Sequence, residues 1–584
     1  MVSHFGDKDL HLDLLSFSPP INQGKSYHSQ DNLHLSQDML HHSQDMLHHS
    51  QDKWALGVSP LKTQQILEHL INYPDREAAH TLREGLVNGF KLQYEGPRFP
   101  IFSSNLVSAK QHPNVLQEKI DKEITEGRMA GPFQSPPMLN FHVSPIGIVP
   151  KADGGWRMVM HLSYPPSASI NHNIDPIHTS VKYTSFDTVI QTISQLGRGT
   201  IIAKSDIKSA FRLLKIFPGD FELLGLQFEG KFYFDKCLPF GCSISCKLFE
   251  MFSTFLEWLA KERSGFNTIY HYLDDFIFIG SANTSQCKFI MQKFEELCLE
   301  IGVPLNAEKT VLPTTNLVFL GLEIDTVKMQ VSIPQEKVYQ LSTLLKFWVG
   351  KKKIKLSELQ SLVGKLNFFS KAIPGSRAFN RRFYNAMIGT SKPNHHIRIS
   401  GSMRQDMKTW IEFLDSFNGV VYFPDSEWST SDTLKLFTDS AGSAELGCGC
   451  YFQDQWMFLQ WPEQWAYNEI LRDITFLELV PIVLSLMVWG SLLHNKKLIL
   501  FIDNIALVHI LNKQSSRSER VMSLVRPLML VALKYNIQFK ANHIPGKLNQ
   551  IADSISRKKW DTFRSLASAA DTKPQPIPEQ FSLK

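Results

Sequence analysis

Hydrophobic spacing along this chain switches repeatedly between a helical period of ~3.6 residues and the two-residue period of strands. Helical spacing runs over 60–92 (Ile66, Leu70, Ile71, Leu82, Leu86) and again over 114–126, where Glu118, Lys119, Asp121, Lys122 and Glu123 mark a wet side. Two β-rich runs then flank Ala152-Asp-Gly-Gly155, which predicts a hairpin over 144–160. A buried strand is predicted at 200–206, a helical turn at 207–214 and a β run at 223–234. Leu238-Pro-Phe-Gly241 follows, then a helix over 245–263. Aromatic and β-branched runs on both sides of Asp274-Asp275 predict a second hairpin over 267–280, with two carboxylates at its tip. Helices are predicted at 285–301, 335–349 and 356–369, with a strand at 317–324 between the first two. Beyond a His-, Ser- and Gly-rich stretch near 391–402, the order becomes β-β-β-α-β-α-β-α. Its landmarks are a strand ending at Asp439, two β runs to Trp461, a helix over 475–492, a strand at 498–503, a strand at 536–543 and a short helix at Asp553.

The first 56 residues differ in kind. Leu33-His-Leu-Ser-Gln-Asp-Met39 is followed by Leu40-His-His-Ser-Gln-Asp-Met46 and Leu47-His-His-Ser-Gln-Asp-Lys53, a seven-residue repeat. One apolar position per repeat is too few for a coiled coil, so a disordered leader is expected.

Length changes the picture first: 584 residues exceed one core, so three or more domains are expected. Net charge is +5, yet thirteen Lys or Arg stand against two Glu and no Asp over 331–400, a surplus of +11. Such a zone suits a phosphate backbone, and equally a solvated helical face. The seven cysteines form no CxxC pair, which argues against a disulfide framework or zinc knuckle and for a reducing compartment. No signal peptide pattern is present, so an intracellular address in cytoplasm or nucleus is expected, not secretion. The longest apolar run, 480–493, is too short to span a bilayer and reads as a buried helix, so no membrane is expected.

Acids at strand ends supply the candidate chemistry. Asp is common in turns, so Asp274-Asp275 alone fits a solvated hairpin. Adjacent acids between buried strands repel, however, and a bound cation removes that cost. Asp206 ends another core strand, where open α/β sheets place ligands. Asp439, Asp503 and Asp553 at element ends, with Glu478 on a helix, form a second constellation that would be intolerable in a core without metal.

These residues resemble a retroelement reverse transcriptase joined to an RNase H domain, most nearly the polymerase of DIRS-type retrotransposons, the tyrosine-recombinase group. The resemblance covers roughly 92–560. Tyr272-Leu-Asp-Asp275 looks like the YxDD box, and Asp206 like the aspartate of the first palm motif. The resemblance implies an α+β multidomain chain: a right-hand polymerase of fingers, palm and helical thumb, then an RNase H-like α/β domain with a mixed five-stranded sheet. It implies two Mg²⁺, or Mn²⁺, at Asp206, Asp274 and Asp275, and two more at Asp439, Glu478, Asp503 and Asp553. Lys151 and Arg157 are similar to the fingers cations that grip a triphosphate, and Phe211 to the aromatic gate against a ribose 2′-hydroxyl. Phe240 and Gly241 belong to a loop like that supporting nucleotide and template; Lys309 resembles a cation near the leaving phosphate. Phe319-Leu-Gly321 looks like the primer grip, and Ser361-Leu-Val-Gly-Lys-Leu-Asn-Phe-Phe369 with Ile373-Pro-Gly-Ser-Arg377 like the thumb. His543, in His-Ile-Pro-Gly546, is similar to the histidine that assists product release in RNase H.

The partners so implied are an RNA template, a DNA primer, deoxynucleotides and an RNA–DNA hybrid. His161-Leu-Ser-Tyr-Pro165 stands where many long-terminal-repeat elements have Asp-Tyr-Arg, and suits the DIRS group; it leaves a second fingers arginine unassigned. Ser440 follows the first RNase H acid where Ala is frequent. No recombinase, protease or zinc-knuckle segment is recognised. The expected segments are a leader (1–56), fingers and palm (57–330), a basic helical thumb (331–400), a connection (401–431), the RNase H-like domain (432–560) and a tail (561–584). Two other readings remain: a decayed or domesticated element protein that binds nucleic acid without catalysis, and an RNA-templated RNA polymerase, against which Phe211 argues.

Overall fold

The computed structural model describes residues 53–151, 154–418, 427–467, 469–545, 549–579 and 581. The seven-residue repeat up to Asp52, and Ala152 and Asp153 of the expected hairpin turn, lie outside the described residues. The described chain forms two compact units. One comprises 53–189 with Ile201–Thr314, the other Ile190–Thr200 with Thr315 onward. This division is coarser than the six expected segments, and it falls at 314/315 instead of 330/331.

In the first unit the elements that matter are helix α1 (Pro113–Thr125) and strands β1 (Met129–Phe133), β2 (Ile146–Pro150) and β3 (Trp156–Met160). Strands β4 (Ile201–Asp206), β5 (Gly225–Phe228) and β6 (Lys231–Asp235) come next, then helix α2 (Ser245–Ser264). Strands β7 (Ile269–Tyr272) and β8 (Asp275–Gly280), helix α3 (Gln286–Ile301) and strand β9 (Val311–Thr314) complete it. A four-stranded sheet runs β9-β4-β8-β7, with β8 antiparallel to both neighbours. Phe276, Ile277, Phe278 and Ile279 are all buried, so both faces of β8 are covered. Helix α2 supplies Leu248, Phe249, Phe252, Phe255, Leu256 and Leu259 to that core and ends at Gly265, whose φ of +72° closes it with a left-handed cap. A mixed five-stranded sheet runs Ile101–Phe102, His142–Val143, β5, β6, β1. Strands β2 and β3 form a separate hairpin in which Val149 faces Arg157.

Two local differences from the sequence reading have clear causes. The helical turn expected from 207 begins later, as a 3-10 turn at Ala210–Leu213. Ser209 sits at φ +67° and Ala210 at φ +30°, outside the right-handed helical region, so no regular helical turn runs from 207; the N–H groups of Ile207 and Lys208 donate instead to the Asp274 and Pro304 carbonyls. The β run expected over 223–234 is a 3-10 turn (Pro218–Leu224) followed by the β5–β6 hairpin. Glu229 (φ +48°) and Gly230 (φ +75°) make its tight turn, whose left-handed pair suits a two-residue hairpin.

The second unit opens with a three-stranded meander, Asn316–Phe319, Leu322–Asp325 and Gln330–Ser332. Helices α4 (Gln335–Val349) and α5 (Leu356–Phe369) follow, with α6 (Gly401–Ser416). Arg404 on α6 donates to the carbonyls of Val349 and Lys351, so a guanidinium terminates α4. Lys353–Lys355 pairs with His396–Arg398 as a small exposed ribbon. Then come strands β10 (Leu436–Ser440), β11 (Gly447–Phe452) and β12 (Gln455–Gln460), and helix α7 (Ile474–Trp489). Strand β13 (Lys497–Ile502), helix α8 (Glu519–Lys534), strand β14 (Gln538–His543) and helix α9 (Gln550–Ser556) end the region. Among the described residues one helical segment, α7 with the 3-10 turn after it, is long and apolar enough to cross a bilayer, and most of it is buried inside the protein.

Where one mixed five-stranded sheet is expected here, the described residues form six strands in two three-stranded sheets. β10-β11-β12 is antiparallel; Trp428–Thr430, β13 and β14 are parallel. The reason lies at Ser431. Its hydroxyl donates to the Ile499 carbonyl and accepts from the Phe501 N–H, so a side chain takes the ladder bonds a neighbouring strand would make. Gly449, opposite Asp439 in register, lets α9 approach β11. A Cβ there would lie 2.6 Å from Ile555 and 2.8 Å from the Ala552 carbonyl.

Candidate functional site

The ladder between β4 and β8 places Asp206 directly opposite Asp275, and Asp274 occupies the turn between β7 and β8. Asp206 is buried, and Asp274 is pushed up to about 6, first by burial and then by Asp275 and Asp206. The chain answers this repulsion with lysines. Lys309 Nζ lies 3.0 Å from Asp206 Oδ2, and Lys204 Nζ lies 3.3 Å from Asp275 Oδ1. Lys309 is exposed and Lys204 is not, so the first contact can open without moving the sheet. Asn306 adds a longer bond to Asp206 at 3.4 Å, and its N–H binds the Asp206 carbonyl.

The turn itself is held from helix α2. Leu273 sits at φ +54°, and its N–H donates to Glu250 Oε2 at 3.1 Å. The other Glu250 oxygen lies 3.2 Å from His271 Nε2, an ion pair without the alignment of a hydrogen bond, while His271 Nδ1 meets Glu257. Burial opposes charge on His271, but the two glutamates outweigh it and push the imidazole up to about 9.

Around this centre, Phe211 packs against Phe240 (5.4 Å between ring centroids) and edge-on against Phe249. The Arg157 guanidinium lies over Phe240 at 5.1 Å. Gly241 has φ +100°, and a Cβ there would meet the Met160 carbonyl at 2.5 Å, so the loop approaches β3 with main chain alone. Asn171 clips this loop, donating to the Gly241 carbonyl and accepting from the Ser243 N–H. Lys151 is exposed beside the described end of its hairpin.

In the second unit, Asp439 on β10 and Glu478 on α7 are buried, Asp553 on α9 is half-buried and Asp503, just after β13, is exposed. Burial, then Asp439 and Asp503, push Glu478 up to about 9. Asp439 rises to about 6, mainly by burial and against a hydrogen bond from Ser556 at 2.6 Å. Arg557 and Lys559 pair with Asp553. His543 Nε2 lies 3.2 Å from the Asp503 carbonyl oxygen. Asp439 thus feels the charge of Asp553 and Asp503, and Glu478 that of Asp439 and Asp503.

Pro481 explains a further contact. It has no N–H to give the Leu477 carbonyl four residues back. The Ser440 hydroxyl supplies that bond at 2.7 Å, fastening the strand of Asp439 to the helix of Glu478. Among the described residues no three His, Cys, Asp or Glu side chains already form a metal-holding group. The donor sets are nevertheless hard oxygen ligands, and among them Asp274, Asp439 and Glu478 are raised by burial and then by neighbouring carboxylates, which suits Mg²⁺.

Lys204, Asn171, Asn306, Glu250, His271, Ser556 and Arg557 were not singled out in the sequence. Lys204 had a signal, two residues before Asp206 and so on the same strand face. The others join segments far apart in the chain.

Two measurements test this geometry. Ser440→Ala orphans the Leu477 carbonyl and is expected to cost about 1–3 kcal/mol in denaturant unfolding; an unchanged midpoint would remove the link. His271 is raised above its unfolded value near 6.5, so its stabilisation is complete below that pH and is lost as pH climbs through about 9. The loss is up to roughly 3 kcal/mol. Unfolding curves across this window should decline in the wild type and flatten in His271→Gln; equal slopes would contradict the Glu250–His271–Glu257 arrangement.

Residues 149–324 match the family described as reverse transcriptase (RNA-dependent DNA polymerase). The Transposon Tf2-3 and Tf2-7 polyproteins of Schizosaccharomyces pombe (strain 972) are each 22% identical over 483 residues, covering 81% of this chain. The chain spans 33% of the length of those relatives. Among solved structures, a foamy viral protease–reverse transcriptase in complex with double-stranded DNA aligns at TM-score 0.45 and 17% identity, over 85% of each chain. The same kind of protein in complex with an RNA/DNA hybrid aligns at TM-score 0.43 and 17% identity, over 90% of this chain and 67% of that one. Residues 149–324 are thus a reverse transcriptase domain, in a chain whose relatives are retrotransposon polyproteins.

Proposed function

We propose that this chain is an RNA-directed DNA polymerase that also cleaves the RNA strand of an RNA–DNA hybrid, from a retrotransposon of DIRS type. The observation that carries the reading is the in-register pairing of Asp206 with Asp275, with Asp274 at the adjoining turn. The hybrid-cleavage half rests on the four acids Asp439, Glu478, Asp503 and Asp553 sharing one electrostatic environment. The DIRS placement rests on His161-Leu-Ser-Tyr-Pro165 alone.

In this reading Asp206, Asp274 and Asp275 hold two divalent cations, Mg²⁺ or Mn²⁺, as do Asp439, Glu478, Asp503 and Asp553. Bound there, such ions supply Lewis acidity to the attacking hydroxyl or water and to the phosphate under attack. Lys151 and Arg157 grip the triphosphate of a deoxynucleotide from the β2–β3 hairpin. Phe211, backed by Phe240 and Phe249, fills the space of a ribose 2′-hydroxyl. The Gly241 main chain closes the pocket against β3. Lys309 swings from Asp206 towards the leaving phosphate and offsets its charge. At the second site His543 stands beside Asp503, placed to help product leave. The RNA template, DNA primer and hybrid run along the basic 331–400 zone, where Lys352, Lys353 and Lys355 are exposed.

Primer extension on RNA and cleavage of a labelled hybrid separate the two sites. Asp275→Asn should lower synthesis by about 100-fold or more and leave cleavage intact; Asp503→Asn should do the converse. Loss of both reactions in either folded variant would overturn the two-site assignment. A wild type that binds hybrid yet does neither would be the decayed element protein.

A further inference from the structure

Arg212 follows Phe211 directly, and its guanidinium is buried. It is saturated by partners from two other segments, Glu123 and the stretch 235–238. Nη1 donates to Asp235 Oδ2 at 2.8 Å and to the Cys237 carbonyl at 3.0 Å. Nη2 lies 2.7 Å from Asp235 Oδ1 and 2.7 Å from Glu123 Oε2. Nε completes a fork onto the same Glu123 oxygen at 3.1 Å. Glu123 is itself gripped by Arg128 at 2.7 and 2.8 Å, and Arg128 also pairs with Glu126.

The position of this cluster matters. Arg212 belongs to the 3-10 turn that presents Phe211, and its fork holds the carbonyl of Cys237, which leads into Leu238-Pro-Phe-Gly241. The Leu238 N–H also binds the Leu214 carbonyl. One side chain thus ties together the turn bearing Phe211 and the loop bearing Phe240, whose rings pack at 5.4 Å. A lysine cannot reproduce this, because an ammonium is a point charge without the planar fork that reaches two carboxylates and a carbonyl together.

We propose that Arg212 is the positioning residue that fixes the Phe211–Phe240 aromatic wall and thereby sets selection between deoxyribonucleotides and ribonucleotides. The inference rests on the polymerase reading above. Arg212 acts through Phe211 and touches no substrate.

The test measures kcat/KM for a deoxynucleotide and its ribonucleotide counterpart, together with Tm, on the full chain. Arg212→Lys keeps the charge. The double variant Arg212→Met with Asp235→Leu removes the buried pair together, leaving Glu123 with Arg128, and buried pairs replaced this way usually leave a folded protein. In whichever variant folds, discrimination should fall by about tenfold or more, chiefly through better use of the ribonucleotide. If Arg212 acts through the gate, the same change made on Phe211→Ala should lower discrimination no further. A folded variant with wild-type discrimination would overturn the inference, as would an undiminished effect on Phe211→Ala. Loss of fold in both variants would also overturn it, because Arg212 would then be needed for the fold as a whole. A wild type with no Mg²⁺-dependent extension would remove the polymerase reading, and this inference with it.

Discussion

Like charge held close together is the constraint on which both candidate sites depend. Asp206, Asp274 and Asp275 crowd one strand end, and Asp439, Glu478, Asp503 and Asp553 crowd another place in the chain. Burial alone raises a carboxylate; burial beside other carboxylates raises it further, as at Asp274 and Glu478. The fold tolerates the first group by lending lysines. Lys204 is fixed on the sheet and Lys309 projects into solvent, so one compensating charge is permanent and the other displaceable. In the second group Arg557 and Lys559 address Asp553, and Ser556 addresses Asp439.

Neutralisation of charge is matched by restraint of backbone. The turn that carries Asp274 has a left-handed residue at Leu273, a conformation that costs about 1 kcal/mol or more for a branched side chain. Glu250 holds it by accepting the Leu273 N–H, and His271 and Glu257 hold Glu250 and the strand in turn. The same logic recurs at the nucleotide loop, where Asn171 meets main-chain groups at Gly241 and Ser243. In each case a buried or half-buried polar side chain satisfies backbone groups that no regular ladder reaches.

Much of this was legible in the sequence because it is local. The hairpin around Asp274-Asp275, the strand ending at Asp206 and helix α2 follow from periodicity and turn chemistry within a few residues. Illegible features depend on partners distant in the chain. The segment after Asp206 bonds to the carbonyls of Asp274 and Pro304, and the buried Arg212 needs Glu123 and Asp235. Ser440 looked like a mild departure after an acid. Its purpose emerges once Pro481 is seen to leave the Leu477 carbonyl without a donor. The parallel strand at Trp428–Thr430 was hidden for a similar reason, since three residues have no measurable period.

Ser431 gives the second unit an unusual joint. A hydroxyl, not a peptide group, completes the ladder beside β13, so the parallel sheet ends there and β10 belongs to another sheet. The strand of Asp439 and the strand leading to Asp503 therefore share no main-chain bonds among the described residues. The Ser431 hydroxyl thus carries two hydrogen bonds, worth about 1 kcal/mol each, that neither main-chain ladder duplicates.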